Sequence, residues 1–149
     1  MSEGLTLDAG ALIAFERNDR AVVAIVARAR EHNIRLAAPA GVVGQVWRDG
    51  RRQVRLARLL GSDLVDVVPL DDARARAAGQ LCGVAGTRDV IDASVVLWAR
   101  QRGQGVLTAD ADDLKRLDSW LRYVRVKEFK RSAWAGGRLT ARLLVDSCV

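Results

Sequence analysis

Aspartates stand beside apolar runs in three separate stretches of this chain. Asp8 follows Leu5-Thr6-Leu7, Asp89 and Asp92 open a helical pattern, and Asp110 and Asp112 follow Val106-Leu107-Thr108. Carboxylates at the ends of two apolar strands converge at the carboxyl edge of a parallel sheet, where open α/β folds place ligands. Gathered there, they repel one another and raise their own pKa values unless a cation stands between them. A hard divalent ion such as Mg²⁺ or Mn²⁺ takes oxygen ligands of this kind. So held, it makes hydroxide from bound water near neutral pH and stabilises charge building on a phosphorane, which is the chemistry of metal-dependent phosphodiester hydrolysis.

Each acid also has a plainer role. Asp8 precedes Ala9-Gly10-Ala11-Leu12, a helix start that it would cap. Asp89 at a helix N-terminus answers the helix dipole. Asp92, three residues on, shares a helix face with Asp89. It lies beside Ala93 and before Val95, Val96 and Leu97, where an idle carboxylate is costly to bury. Asp110, Asp112 and Asp113 crowd one strand-to-helix turn, although capping needs only one of them. Other catalytic designs lack their residues: the sole histidine, His32, ends a helix away from any strand-end acid, and there is no Gly-Lys-Ser/Thr phosphate loop or Ser/His/Asp set.

The elements that must position these acids follow from periodicity. Strands are predicted at Leu5 to Leu7, Leu36 to Ala38, Asp66 to Leu70, Gly105 to Thr108 and Tyr123 to Val126. Helices are predicted at Ala21 to Arg30, from Val42 through Trp47, and at Gln53 to Leu60, Asp71 to Ala85, Val90 to Arg102 and Ala111 to Leu117. This alternation implies a parallel sheet with helices on both faces. Residues 1–126 form one domain. Residues 127–149 lose the period and are read as a C-terminal extension outside the core, disordered or appended.

At 149 residues and 50% hydrophobic, the chain suits one domain with a real core. No apolar run approaches the roughly 18 to 20 residues of a membrane span, and Met1-Ser2-Glu3-Gly4 is no leader, so a cytoplasmic protein without a membrane partner is expected. Cys82 and Cys148 make neither a metal pair nor a disulfide framework. The net charge of +6, almost wholly arginine, fits a polyanionic partner and equally fits an arginine-rich base composition. Arg48, Arg51, Arg52, Arg55 and Arg58 recur at helical steps and are predicted to form a basic stripe on a helical surface, either a solvated face or, beside a metal site, a surface that holds RNA phosphates. Trp47 within that stretch is read as a core anchor in preference to a base-stacking platform.

The three acidic blocks, Leu5-Thr6-Leu7-Asp8-Ala9-Gly10-Ala11-Leu12, Asp89-Val90-Ile91-Asp92-Ala93 and Val106-Leu107-Thr108-Ala109-Asp110-Ala111-Asp112-Asp113-Leu114, resemble those of PIN-domain ribonucleases. The chain's size and helices are similar to the VapC-type toxins of toxin–antitoxin pairs. The resemblance implies a PIN-like three-layer α/β/α sandwich around a central parallel sheet of four to five strands. It implies a Mg²⁺- or Mn²⁺-dependent endoribonuclease, a homodimer held inactive by a cognate antitoxin. Asp8, Asp92 and Asp110 would be the catalytic metal ligands, with Asp89 and Asp112 nearby and Thr108 in support. The family's usual glutamate is replaced by Gln45, which brings a carbonyl oxygen but no charge; Asp49, four residues on, could share its helix face and make up the loss. The alternative is a catalytically weak or inactive fold that binds RNA or protein. A receiver-like domain is disfavoured by the single aspartate after the first strand, and an Asp-x-Asp phosphatase by Ala9-Gly10.

Overall fold

The computed structural model describes residues 4–125. The chain runs β1 (Gly4–Leu7), α1 (Ala9–Glu16), α2 (Arg20–Glu31), β2 (Arg35–Pro39), α3 (Ala40–Val46), α4 (Val54–Leu60), β3 (Val65–Val68), α5 (Asp72–Ala85), α6 (Val90–Arg102), β4 (Gly105–Thr108), α7 (Asp112–Leu117) and β5 (Tyr123–Arg125). The expectation for residues 127–149 lies outside the described residues, as does Val126.

The strands form one all-parallel sheet in the order β3-β2-β1-β4-β5. From the central β1 the chain works outward to β2 and β3, then crosses back to β4 and out to β5. Parallel crossovers are right-handed, so reversing direction moves the connecting helices to the opposite face. Packing agrees: α1 rests on α2, α3 and α4, whereas α5 rests on α6 and α7. The expected parallel α/β architecture is therefore present with five strands. The PIN-like label is a finer statement that sheet order does not carry.

Central strands covered on both faces should be apolar throughout. Leu5, Leu7, Leu36, Ala38, Val106 and Leu107 are each at most 4% exposed. Burying each large side chain contributes about 1.5–3 kcal/mol, so β1, β2 and β4 form a stiff floor. Asp8, Asp19, Asp71 and Asp89 cap α1, α2, α5 and α6 by accepting first-turn backbone N–H groups. Gly86 and Gly103 close α5 and α6 in the left-handed region that favours glycine.

The stretch between α3 and α4 departs from expectation. Here α3 stops at Val46, and Trp47 is extended with φ −75° and ψ 129°. Gln53 explains the break. Its Oε1 accepts the N–H of Arg48 at 2.7 Å and of Asp49 at 3.0 Å, while its Nε2 donates to Val46 O at 2.8 Å and Glu16 Oε2 at 3.1 Å. A side chain only 9% exposed thus satisfies backbone groups that a continued helix would have used. The arginine stripe is corrected accordingly: Arg48, Arg51 and Arg52 lie on this loop, and only Arg55 and Arg58 are helical. Asp49 is likewise off the helix of Gln45. Trp47 is 39% exposed and is not a core anchor.

Gly10 lets the first turn of α1 settle on the loop after β4. A Cβ there would lie 2.9 Å from Ala109 Cβ, whereas one at Gly79 on α5 would meet nothing within 4 Å. Gly10→Ala is expected to lower the melting temperature, because overpacking costs about 1–3 kcal/mol and outweighs a helix-propensity gain of about 1 kcal/mol. Gly79→Ala is expected to stabilise by about 0.5–1 kcal/mol. Thermal melts compare the two, and equal gains would show that α1 does not press on that loop.

Candidate active site

The crossovers leave β1 and β4 in opposite directions, which opens a crevice outside their carboxyl ends. Asp8 is the first residue past β1. Its N–H donates to Leu107 O at 3.3 Å, and its Oδ1 accepts the Ala11 N–H at 2.8 Å. It is 8% exposed. Burial pushes its carboxyl above the usual range; hydrogen bonds from Thr108 and the Ala11 N–H oppose that, and the charge of Asp110 adds to it.

Across the crevice, the fully buried Thr108 ends β4. Its hydroxyl donates to Asp110 O at 2.8 Å and accepts the Asp110 N–H at 3.1 Å. The same hydroxyl is within hydrogen-bonding reach of the Asp8 carboxylate. With one proton for two acceptors, Thr108 joins the ends of β1 and β4. The Asp110 Oδ1 accepts the Asp112 N–H at 3.1 Å.

The third acidic block stands at the start of α6. Asp89 Oδ1 accepts the Asp92 N–H at 2.9 Å. Asp92, half-buried, is pushed up to about 6, first by burial and then by the charges of Asp89, Asp8 and Asp113, with a carboxyl–carboxyl hydrogen bond to Asp89 adding to the rise. Residues 84 positions apart in sequence thus feel each other across the crevice. Cys82 of α5 lies in the same field: burial, then Asp89 and Asp92, push its thiol up.

Asp112 and Asp113 both stand at the surface. Asp112, expected near the ligands, is 79% exposed and paired with Arg125 at 3.0 Å, and Asp113 is 73% exposed and paired with Arg116 at 4.0 Å. The charge of Asp113 still adds to the rise at Asp92.

The supporting residues divide similarly. Gly41 abuts Ile91 of α6, and Gln45, exposed, lies one turn further along the same side of α3. Asp49 instead accepts the Arg51 N–H at 3.0 Å and pairs with Arg52 at 3.7 Å. The Arg48 guanidinium donates to Gly44 O and Trp47 O at 3.2 and 2.7 Å, closing the end of α3. Arg55 donates to Asn18 Oδ1 at 2.8 Å.

Chemically the donors suit a hard divalent ion: all are carboxylates, two of them with pKa values raised by burial and then by like charges. Asp8 and Asp110 each have Oδ1 on a backbone N–H. As they stand, no three acidic, histidine or cysteine side chains among the described residues are close enough together to hold an ion. The donor chemistry fits, and the ligand spacing is not preformed. A cleft of about 330 Å³ between α5 and α6, lined by Pro39, Leu70, Ser94 and Trp98 among others, includes none of the acids except Asp71, the α5 cap. No helix among the described residues is long and apolar enough to cross a membrane.

No family model and no curated protein matches the chain. Solved structures do. A chain of FitAcB from Neisseria gonorrhoeae is 18% identical with a TM-score of 0.56, covering 83% of this chain and 98% of that one. A chain of VapBC2 from Rickettsia felis, bound to a DNA fragment from its promoter, is 13% identical with a TM-score of 0.60, covering 81% and 97%. A chain of FitAB bound to the IR36 DNA fragment is 17% identical with a TM-score of 0.56, covering 82% and 94%. These neighbours are antitoxin–toxin complexes, and likeness at such identity shows the fold alone. They overturn the assignment of the chain as a PIN-domain ribonuclease of the VapC toxin type: a fold shared with chains from complexes of both components does not single out the toxin.

Because the Asp92 carboxyl is raised in the folded state, its ionisation opposes folding. That contribution to stability is complete below the ordinary carboxylate range and is lost as pH rises through about 6. In EDTA, the protein is therefore expected to melt higher at pH 5 than at pH 7. Asp92→Asn is expected to raise the pH 7 melting temperature by about 2–4 °C and to flatten the difference. Calorimetry at both pH values checks this; an unchanged slope would remove Asp92 from the repulsive cluster.

Proposed function

We propose that the chain is a metal-dependent endoribonuclease that works beside a partner protein, as one member of a toxin–antitoxin pair. The observation that carries the proposal is the mutual repulsion of Asp8 with Asp110 and with Asp92 of the Asp89–Asp92 pair at the point where the sheet reverses its order, with Asp8 desolvated and Asp92 at about 6. Structural ion pairs do not explain it, since the groups that face one another carry the same sign. The likeness to chains of FitAcB and VapBC2 supports the two-protein setting.

In this reading Asp8, Asp92 and Asp110 hold Mg²⁺ or Mn²⁺, which when bound supplies ionised water and a counter-charge for the phosphorane. The Ala11 N–H fixes Asp8 Oδ1, with Thr108 within reach of the same carboxylate, so the group is presented rigidly. Asp89 stands beside Asp92 and raises its carboxyl, so a cation held between them would relieve the repulsion. Thr108 orients Asp110 through the backbone.

A second reading, an RNA- or protein-binding module without turnover, draws support from the absence of a preformed ligand group and from Gln45. Cleavage assays separate the two. Labelled RNA should be cut with Mg²⁺ or Mn²⁺ and left intact in excess EDTA. Asp8→Asn and Asp92→Asn should each lower the rate on the order of 100-fold, as for losing one preorganised electrostatic group, while remaining folded. Cutting in EDTA, or full activity in either variant, would sink the nuclease reading.

Gln45→Glu offers a graded test. Since Gln45 is exposed, the added charge has water around it and should leave the melting temperature unchanged. If that side of α3 borders the ion, the Mg²⁺ concentration for half-maximal cleavage should fall. An unchanged metal dependence would exclude position 45 from the site.

A further inference from the structure

The loop between α3 and α4 is a built object. Gln53 holds it from beneath with four hydrogen bonds, one of them to Glu16 at the far end of α1. Asp49 ties its tip through the Arg51 N–H and the Arg52 guanidinium. Gly50 lies against the six-membered ring of Trp47, since a Cβ there would stand 2.7 Å from Cζ2 and 3.1 Å from Cη2. The indole is braced in this way and still 39% exposed.

The segment that carries the ring is cationic in sequence, although Glu16 reaches its underside through Gln53. Arg48, Arg51, Arg52, Arg55 and Arg58 fall between Trp47 and Leu59, with Asp49 as the only acid among them. The Arg52 side chain is 89% exposed and Arg51 is exposed beside it. An exposed aromatic ring backed by a glycine, in a segment rich in exposed arginines, is the combination that binds single-stranded nucleic acid, with bases stacking on the ring and phosphates meeting the cations. Duplex bases are already stacked and unavailable to it. The position is right as well. The seven residues of α3 span about 10 Å, from Gly41 beside Ile91 at the acidic crevice to Trp47.

We propose that Trp47, braced by Gly50 and flanked by Arg51 and Arg52, is a stacking platform for a base of single-stranded RNA leading to or from the acidic crevice. This rests on the ribonuclease reading for its substrate class and adds the form of RNA taken and a residue that selects it. Ordering of the loop by Gln53 before RNA arrives lowers the entropy lost on binding.

The test is binding by fluorescence anisotropy, in EDTA so that cleavage plays no part, of a short fluorescein-labelled oligouridine and of an RNA duplex. The full chain should prefer the single strand. Trp47→Ala should weaken oligouridine binding about tenfold, the scale of one lost base–aromatic stack, and leave the weaker duplex binding unmoved. Trp47→Phe should keep most of the affinity. Gly50→Ala, which displaces the ring without removing it, should weaken the single strand in the same direction. Trp120→Ala, at a 96% exposed indole away from the loop, should change nothing. Equal loss for duplex and single strand, wild-type affinity in folded Trp47→Ala, or no RNA binding at all would overturn the proposal. So would intact RNA binding alongside loss of a protein partner, which would make the face a protein contact. Trp47-dependent binding without any Mg²⁺-dependent cutting would refute the nuclease and leave the platform standing; cutting that ignores Trp47 would do the reverse.

Discussion

Asp8 has to be buried and attached to three elements at once, and much of the molecule is arranged around that demand. Its backbone continues β1 and hydrogen-bonds to β4, and its side chain starts α1. A carboxylate in this position would be expelled or neutralised if its oxygens found nothing to bond, because desolvation of an unpaired charge costs several kcal/mol. Thr108 and the Ala11 N–H meet part of the cost, and the rise in pKa records the part left over. The glycine at position 10 follows from the same demand: the helix that Asp8 caps must start close against the loop carrying Asp110.

Capping and chemistry are not rival explanations for these acids. A carboxylate has two oxygens, and at Asp8, Asp89 and Asp110 one oxygen accepts a backbone N–H. The bond fixes the plane of the group, which leaves the second oxygen aimed rather than free to rotate. An acid recruited as a helix cap is therefore already preorganised as a donor, and the strand-to-helix turns of a parallel sheet supply such caps together at one edge. The repulsion that follows is a local cost carried by the apolar floor of β1, β2 and β4.

Much of the fold could be read from the sequence because central parallel strands are unbroken apolar runs and their helices have visible starts and stops. Val90–Arg102 and Gly105–Thr108 fall where the pattern puts them, since Asp89 caps one and Gly103 separates the two. The failures have one physical cause. Between residues 47 and 53, the backbone is organised by a side chain, Gln53, whose partners lie up to 37 positions away. Periodicity sees arginines at helical steps and has no means of registering a glutamine that replaces the helical hydrogen bonds. Asp49 and Trp47 were misplaced with it. The outward place of Asp112 is similar, because its partner Arg125 comes from a strand thirteen residues later.

The eight residues of α1 have a property that follows from their two ends. At one end the helix is fastened by Asp8 to the sheet, and at the other Glu16 grips Gln53 and with it the cationic loop. Such a helix behaves as a strut of fixed length and fixed phase, about 12 Å long. Adding or deleting a single residue would turn one anchor about 100° relative to the other, so either the carboxylate or the loop would come unhooked. Length variation in this lineage should accordingly be confined to segments that are tied at one end only, and the span of α1 should act as the ruler that keeps acid and base at a constant separation.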